Sequence, residues 1–344
     1  MKVLVLRNHI PVLPGQDEKE LLADLDVIRA AEGIQRALNM RGHETRLEVV
    51  SGNVLDVLVE YDPREWLVFN LVESLDGRAG LEPYVLAMYE TMDFTYTAGP
   101  SLTHYNCLHK NRAKQIFRAH GIATPSFHVA RTPDEQIDVP LPAIVKPVAE
   151  DASIGIPLHA VATTAAELRE RVSAIVRKHK QPALVEEYIE GREFYVGVWG
   201  NMPSEVLPLS EMDFSRIANP LQRISSYEVK WEEGTALFDT TPAICPAQVD
   251  EALAERVRTM TRAAYRALGC RDYAHADIRV RDGCPYLLEI NPACDLSEGM
   301  GCARQAKVAG YPYAEAVERI ACFAAERMNA RPGNGAMHAG RRGA

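Results

Sequence analysis

The stretch from Tyr273 to Asn291, YAHADIRVRDGCPYLLEIN, constrains the fold more tightly than any other. Two runs of alternating apolar and polar residues flank Asp282-Gly283, a dipeptide that reads as the turn of a β-hairpin. In the first run His275, Asp277 and Arg279 share one face, and Ala276, Ile278 and Val280 the other. In the second run Leu287, Glu289 and Asn291 share a face. An odd-numbered loop, such as Arg281-Asp282-Gly283, sets Asp277 opposite Leu287 and diagonal to Glu289. Asp277, Glu289 and Asn291 then converge. A two-residue loop throws Asp277 to the opposite face unless a β-bulge restores it. Converging oxygen side chains suit Mg²⁺, which is commonly held by one or two carboxylates plus nucleotide phosphates. A solvated polar face on an edge hairpin is the alternative.

The rest of the chain alternates strands and helices at the front. Residues 2–6, 45–50, 66–72 and 95–97 read as strands, and 24–40 and 83–92 as helices, which implies a mostly parallel sheet covered on both faces over residues 1–105. A helix over 102–120 follows, then strands at 127–130 and 143–146, a helix at 165–178 and a strand at 183–189, giving a second region over 106–190. Gly191 opens a third, 191–330, with a strand at 193–199, helices at 250–268 and 313–328, and a lid-like segment, 211–248, with few clear elements apart from 227–231. The Gly/Ala/Arg-rich residues 331–344 read as a disordered tail. The 344-residue length agrees with two or three domains. Lys and Arg total 38 against 47 Asp and Glu, a net charge of −9, the wrong sign for a nucleic-acid or anionic-membrane partner. No apolar run reaches the ~18 residues of a membrane span, and the start reads as a first strand, not a signal peptide. Seven cysteines, an odd number without CxxC spacing, read as reduced thiols of a cytoplasmic protein.

Lys146 ends an apolar strand, where a cation needs a partner or a route to water, and a phosphate would serve. The small-residue loop after it, Ala149 to Gly155, could fold over phosphates and offer backbone N–H groups. An edge lysine snorkelling to solvent is the alternative. Lys110 stands with Arg112 and Lys114 on one helix, where a solvated basic face is the plainer reading. Lys230 lies within the lid-like segment. No P-loop, dinucleotide fingerprint, HExxH or GxSxG occurs.

These pieces in this order resemble the ATP-grasp superfamily, in its D-alanine–D-alanine ligase-like branch. The stretches that carry the resemblance are Asp76-Gly-Arg-Ala-Gly-Leu-Glu-Pro83, Tyr96-Thr-Ala-Gly-Pro100, the helix with Lys110, Ile144 to Gly155, Val185-Glu-Glu-Tyr-Ile-Glu-Gly-Arg-Glu193, and Asp277 with Glu289-Ile-Asn-Pro292. The resemblance implies an α/β fold in which an N-terminal doubly wound parallel-sheet domain precedes two α+β ATP-grasp domains that grip ATP. It implies that Lys110 and Lys146 bind phosphates and that Ala152-Ser153 lies over them. Glu186, Glu187 and Ile189 would meet adenine, Glu193 the ribose, and Lys230 the γ-phosphate from the mobile lid. Asp277, Glu289 and Asn291 match the magnesium ligands, with Mn²⁺ able to replace the ion. The implied reaction joins a small carboxylate to an amine, both amino-acid-like, through an acylphosphate, with no nucleic acid or membrane involved. A homodimer through the N-terminal domain accords with the family.

Departures fall at the amino-acid pockets. His275 stands where the family ligases carry an arginine facing the acyl intermediate, and an imidazole there could donate to the oxyanion. Pro292 to Gly301 replaces the loop that ends in a serine, and its Asp295 and Glu298 suggest a cationic or amine-bearing second substrate. Ala152 replaces a serine, Trp231 a tyrosine beside the lid lysine, and Arg7-Asn-His-Ile-Pro11 a Gly-rich start. The expectation is therefore an ATP-dependent carboxylate–amine ligase whose substrates are not two D-alanines. An ATP-grasp ligase using a thiol or another nucleophile, and an ATP-binding regulatory protein without turnover, are the alternatives.

Overall fold

The computed structural model describes residues 1–10, 18–231 and 234–330; the stretch 331–344, expected to be a disordered tail, lies outside them. The first sheet has two strands buried on both faces, the pattern of interior parallel strands, and an edge strand with exposed positions. These are β1 (Lys2–Asn8), β2 (Glu44–Val50) and β3 (Trp66–Leu71), in the order β2-β1-β3 and all parallel. Between them lie helices α1 (Glu18–Met40) and α2 (Leu55–Leu58), and α3 (Glu82–Thr91) follows. Val3, Val5, Leu67 and Phe69 pack on Ala31, Ile34 and Leu38 of α1. The alternate residues Leu4, Leu6 and Val68 pack on Val85, Leu86 and Tyr89 of α3. The strand expected over 95–97 shrinks to one parallel bridge, Tyr96 to Val68.

The helix expected over 102–120 is two helices, α4 (Ser101–Leu108) and α5 (Lys110–Ala119). His109 leaves helical geometry between them (φ −85°, ψ 85°), and the Lys110 N–H donates to Val148 O at 3.0 Å. The break thus ties the start of α5 to the loop after Lys146. Next come β4 (Phe127–Ala130), β5 (Ala143–Pro147), β6 (Val161–Ala162), α6 (Ala165–His179) and β7 (Ala183–Glu187). The strands form an antiparallel sheet in the order β4-β7-β5-β6. Thr164 caps α6 by accepting from the Glu167 N–H, and the Glu167 carboxylate accepts from the Thr163 N–H.

The third sheet contains β8 (Arg192–Trp199), β9 (Glu205–Val206), β10 (Ser210–Met212), β11 (Ala243–Ile244), β12 (Tyr273–Arg281) and β13 (Cys284–Asn291). Its order is β11-β10-β8-β12-β13, with β9 on β8. The lid-like segment is therefore not featureless: β10 and β11 anchor its ends, and α7 (Tyr227–Trp231) and α8 (Ala236–Asp239) lie between. Helix α9 (Glu251–Ala267) covers the apolar face of this sheet. Helix α10 (Gly301–Val308) was absent from the sequence reading, and α11 (Tyr313–Asn329) returns to the first sheet beside α1. No helix among the described residues is long and apolar enough to cross a membrane.

Gly191, at the entry to β8, has φ +145°, and a Cβ there would lie 1.9 Å from Val280 O of β12. Backbone cannot yield as a side-chain tip can. Gly191→Ala is expected to cost about 2 kcal/mol or more of stability, through strain and overpacking together. Urea denaturation measures it, and an unchanged midpoint would contradict the close approach.

Candidate active site

The hairpin turn has two residues, not three. Asp282 (φ 50°) and Gly283 (φ 73°) supply the two positive angles of a type I′ turn, and Arg281 pairs with Cys284. The ladder runs regularly as far as Ile278 opposite Leu287, then shifts. Beyond the shift Asp277 faces Glu289 and His275 faces Asn291, leaving Leu288 as the extra residue of a β-bulge. Of the two loop alternatives the sequence left open, the structure takes the two-residue turn with a β-bulge restoring Asp277 to Glu289; the expectation that Leu287 shares a face with Glu289 is corrected. Leu287 and Ile290 are buried in the apolar layer with Ile278, so the strand must change phase between 287 and 289 to bring Glu289 to Asp277.

Around this pair the structure gathers buried cations from two other elements. Lys110 of α5 reaches Glu289 at 2.7 Å. Lys146 of β5 reaches one oxygen of Glu186 on β7 at 2.6 Å, and Lys114 reaches the other oxygen at the same distance. Glu186 is 1% exposed and Lys114 0%. Lys114 is no part of a solvated basic face, as the sequence reading had it. Its spacing four residues after Lys110, on one helix face, is the signal that could have found it. Burial opposes ionisation of Glu289, yet Lys110 and Lys146 outweigh it and hold its carboxyl far below the usual range. Burial likewise opposes the charge on Lys110, but Glu289 and Asp151 keep its ammonium above the ordinary value. Lys146 is pushed down to about 8, chiefly by burial, and Lys114 is pushed well down by burial and by neighbouring Lys146.

His275 lies against Asp277, Nε2 to Oδ1 at 2.5 Å, and the Tyr195 ring meets it edge-on at 5.2 Å. Burial disfavours the imidazolium, but Asp277 prevails and raises His275 to about 9. Lys230 sits 5.5 Å from the centre of the same Tyr195 ring. Asn291 donates from Nδ2 to Asp151 at 3.1 Å, which joins the hairpin to the loop after β5. In that loop Ala152 and Ser153 both have positive φ, and the Ser153 hydroxyl donates to Ser225 O at 2.8 Å. Glu193 accepts from both Nε and Nη2 of Arg279, at 2.8 and 2.7 Å, and from the Ser225 hydroxyl at 2.6 Å. Arg279 also donates to Ile189 O at 2.8 Å, and Glu187 is held by Arg281 at the same distance. Arg279, Ser225 and Asp151 thus organise the cleft, and the sequence reading gave none of them a role. The side chain of Trp231 lies outside the described residues.

The donor set fits a shared magnesium ion. Asp277 and Glu289 are direct cross-strand partners with Asn291 two residues on, all hard oxygen donors. Among the described residues no three His, Cys, Asp or Glu side chains form a metal cage on their own. Two carboxylates and an amide are the partial set expected where phosphate oxygens and waters complete the shell.

The family profile described as D-ala D-ala ligase C-terminus matches residues 116–321. An uncharacterized protein of Sinorhizobium fredii, y4sG, is 35% identical over 300 residues, covering 85% of this chain and 86% of its own. The D-alanine–D-alanine ligase of Alcanivorax borkumensis is 30% identical over 255 residues, 74% of this chain and 76% of its own. That of Maridesulfovibrio salexigens is 26% identical over 315 residues, 91% and 97%. The crystal structure of D-alanine–D-alanine ligase from Bacillus anthracis complexed with ATP superimposes with a TM-score of 0.73 at 20% identity, covering 96% of this chain and 99% of that one. The three sheets and their cleft are those of an ATP-grasp ligase. Within that superfamily the chain belongs to the D-alanine–D-alanine ligase family.

Proposed function

We propose that this chain is an ATP-dependent carboxylate–amine ligase acting through an acylphosphate, with substrates other than two D-alanines. The observation that carries this reading is the pairing of Asp277 with Glu289 across the hairpin, with Lys110 already at Glu289 and Lys146 in the same cleft. A magnesium ion held by Asp277, Glu289 and Asn291 would neutralise charge on the transferred phosphoryl oxygens. Lys110 and Lys146 bind the phosphates, and each ammonium has three donors, so its present carboxylate contact leaves others for a phosphate oxygen. The Ala152-Ser153 turn covers the phosphates, and Lys230 approaches from the lid side. Glu186, Glu187 and Ile189 border the adenine. Glu193 takes a ribose hydroxyl in place of the Ser225 hydroxyl it now accepts.

A substrate carboxylate oxygen attacks the γ-phosphorus, and the bond to the β-phosphate oxygen breaks, giving an acylphosphate and ADP. The amine then attacks the acyl carbon, an oxyanion forms, and phosphate leaves with the amine proton passing to solvent or base. His275 is placed to donate to that oxyanion, where the family carries an arginine. His275 and the Pro292–Gly301 loop depart from the family at the amino-acid side, and this supports substrates other than D-alanine. The test is ADP release screened over amino acids and simple amines, scored by product mass. Release is expected only with both a carboxylate and an amine, with a product equal to their sum less one water. ADP and magnesium binding without turnover on any pair would overturn the ligase reading in favour of a regulatory one. Release with carboxylate alone, trapped as a hydroxamate by hydroxylamine, would identify an enzyme that stops at the acylphosphate.

A further inference from the structure

We propose that Thr124 and Lys114 are positioning residues for the metal ligand Glu289, acting through the Leu288 bulge. This rests on the reading of Asp277 and Glu289 as metal ligands. β13 is the terminal strand of its sheet, so one edge of it needs other partners. The segment after α5 supplies them at one residue. The Leu287 N–H donates to Ala123 O at 2.9 Å, and Leu287 O accepts from the Thr124 hydroxyl at 2.7 Å. That hydroxyl in turn accepts from the buried Lys114 ammonium at 2.9 Å, which fixes the direction in which its own proton points. Lys114 is held by Glu186 at 2.6 Å, the carboxylate that also holds Lys146. Leu287 is thus the last residue of the regular ladder and is clamped on both backbone groups; the extra residue falls immediately after it.

This placement decides where Glu289 points. In an unbroken ladder from the two-residue turn, Leu288 would stand opposite Asp277 and Glu289 would turn toward the apolar layer. A clamp on Leu287 keeps that side chain in the core and confines the phase change to Leu288. The chain of contacts also runs from Lys114, one turn beyond Lys110, so the phosphate-side helix and the metal-side strand are held in one frame.

The test uses the full chain with ADP present and Mn²⁺ as the probe ion, free Mn²⁺ being read by electron paramagnetic resonance. The wild-type protein is expected to show a saturable site that Glu289→Gln removes. Thr124→Val, which keeps shape and loses the hydroxyl, is expected to weaken Mn²⁺ binding by about 10- to 100-fold, as loss of an outer-shell partner does. Thr124→Ser is expected to restore it to within about threefold on the same scale. ADP affinity without metal should be the same in all three proteins. Wild-type Mn²⁺ affinity in Thr124→Val overturns the proposal, as does equal weakening by Val and Ser, which would mark a packing role. If Thr124→Val yields no folded protein, Thr124→Ala is judged by the same criteria. A wild-type protein with no Mn²⁺ site sensitive to Glu289→Gln refutes the ligand reading itself, and the positioning role falls with it; that failure shows in the wild-type arm alone.

Discussion

Glu289→Gln is expected to lower substrate-dependent ADP release by on the order of a thousandfold while leaving the protein folded. The charge at this position reaches Lys110 at 2.7 Å, and on the proposed reading it would also hold a divalent ion shared with Asp277. Metal stabilisation of transition-state charge is worth several kcal/mol, and at about 1.36 kcal/mol per tenfold a loss of roughly 4 kcal/mol gives that factor. Glutamine is the informative replacement. Alanine would leave Lys110, which is 6% exposed, without its partner and cost about 3–5 kcal/mol of stability, so lost activity and lost fold would be confused. The amide keeps the volume and still offers Lys110 an oxygen. Lys146→Ala should abolish release as well, since phosphate binding loses its β5 cation. ADP release at saturating Mg²⁺, beside a urea unfolding curve for each variant, separates the two effects. Wild-type rates in both variants would remove the basis for the proposed chemistry.

How far the sequence carried this site depends on which interactions are local. Period-two alternation on either side of Asp282-Gly283 was enough to mark a hairpin that brings Asp277 and Glu289 near each other, because a strand's faces are set by its own residues. The phase of that pairing was not local. It hangs on a bulge at Leu288, and the bulge follows from burying Leu287 and Ile290 on one side while Thr124, far away in the chain, holds Leu287 from the edge. The same contrast separates Lys110 from Lys114. Both sit in a stretch that alone suggests a solvated basic face, and only the arrival of Glu186 from β7 makes an interior place for Lys114. His109 carries no proline or glycine signal, so the break that starts α5 at Lys110 was invisible. It arises from a hydrogen bond to Val148 across a tertiary contact. The parallel sheet was legible because β1 and β3 carry long apolar runs, whereas β10 and β11 are only three and two residues long and leave no pattern to read.

Glu186→Gln is expected to cost about 3–5 kcal/mol of stability at pH 7, the range for removing one partner from a buried charged group. Glu186 is 1% exposed, and it is the shared counter-charge of Lys146 and Lys114, each at 2.6 Å. With a neutral amide in its place both ammonium groups stay in the interior with their hydrogen-bonding needs half met. The loss has a ceiling, because a buried lysine can release its proton instead of keeping an unmatched charge. That escape gives the effect a pH signature whose sign is fixed. Burial pushes Lys146 down to about 8 in the folded protein against an ordinary 10.5, so between those values the unfolded chain binds more protons and folding gains stability as pH rises. Removing Glu186 lowers the folded-state affinity for protons further and widens the window downward. Between about pH 6 and pH 10 the deficit of the variant relative to wild type should therefore be largest at the acid end, shrink as pH rises toward about 8, and level off above that, where Lys146 is neutral in both folded proteins. Urea unfolding at several pH values in that interval measures it. A deficit under about 1 kcal/mol at pH 7, the worth of an ordinary exposed ion pair, would mean that water reaches this cluster and that the lysines do not depend on Glu186. A deficit that stayed constant with pH would place the cost in packing, and the cleft's cations would then have to be held by something other than this one carboxylate.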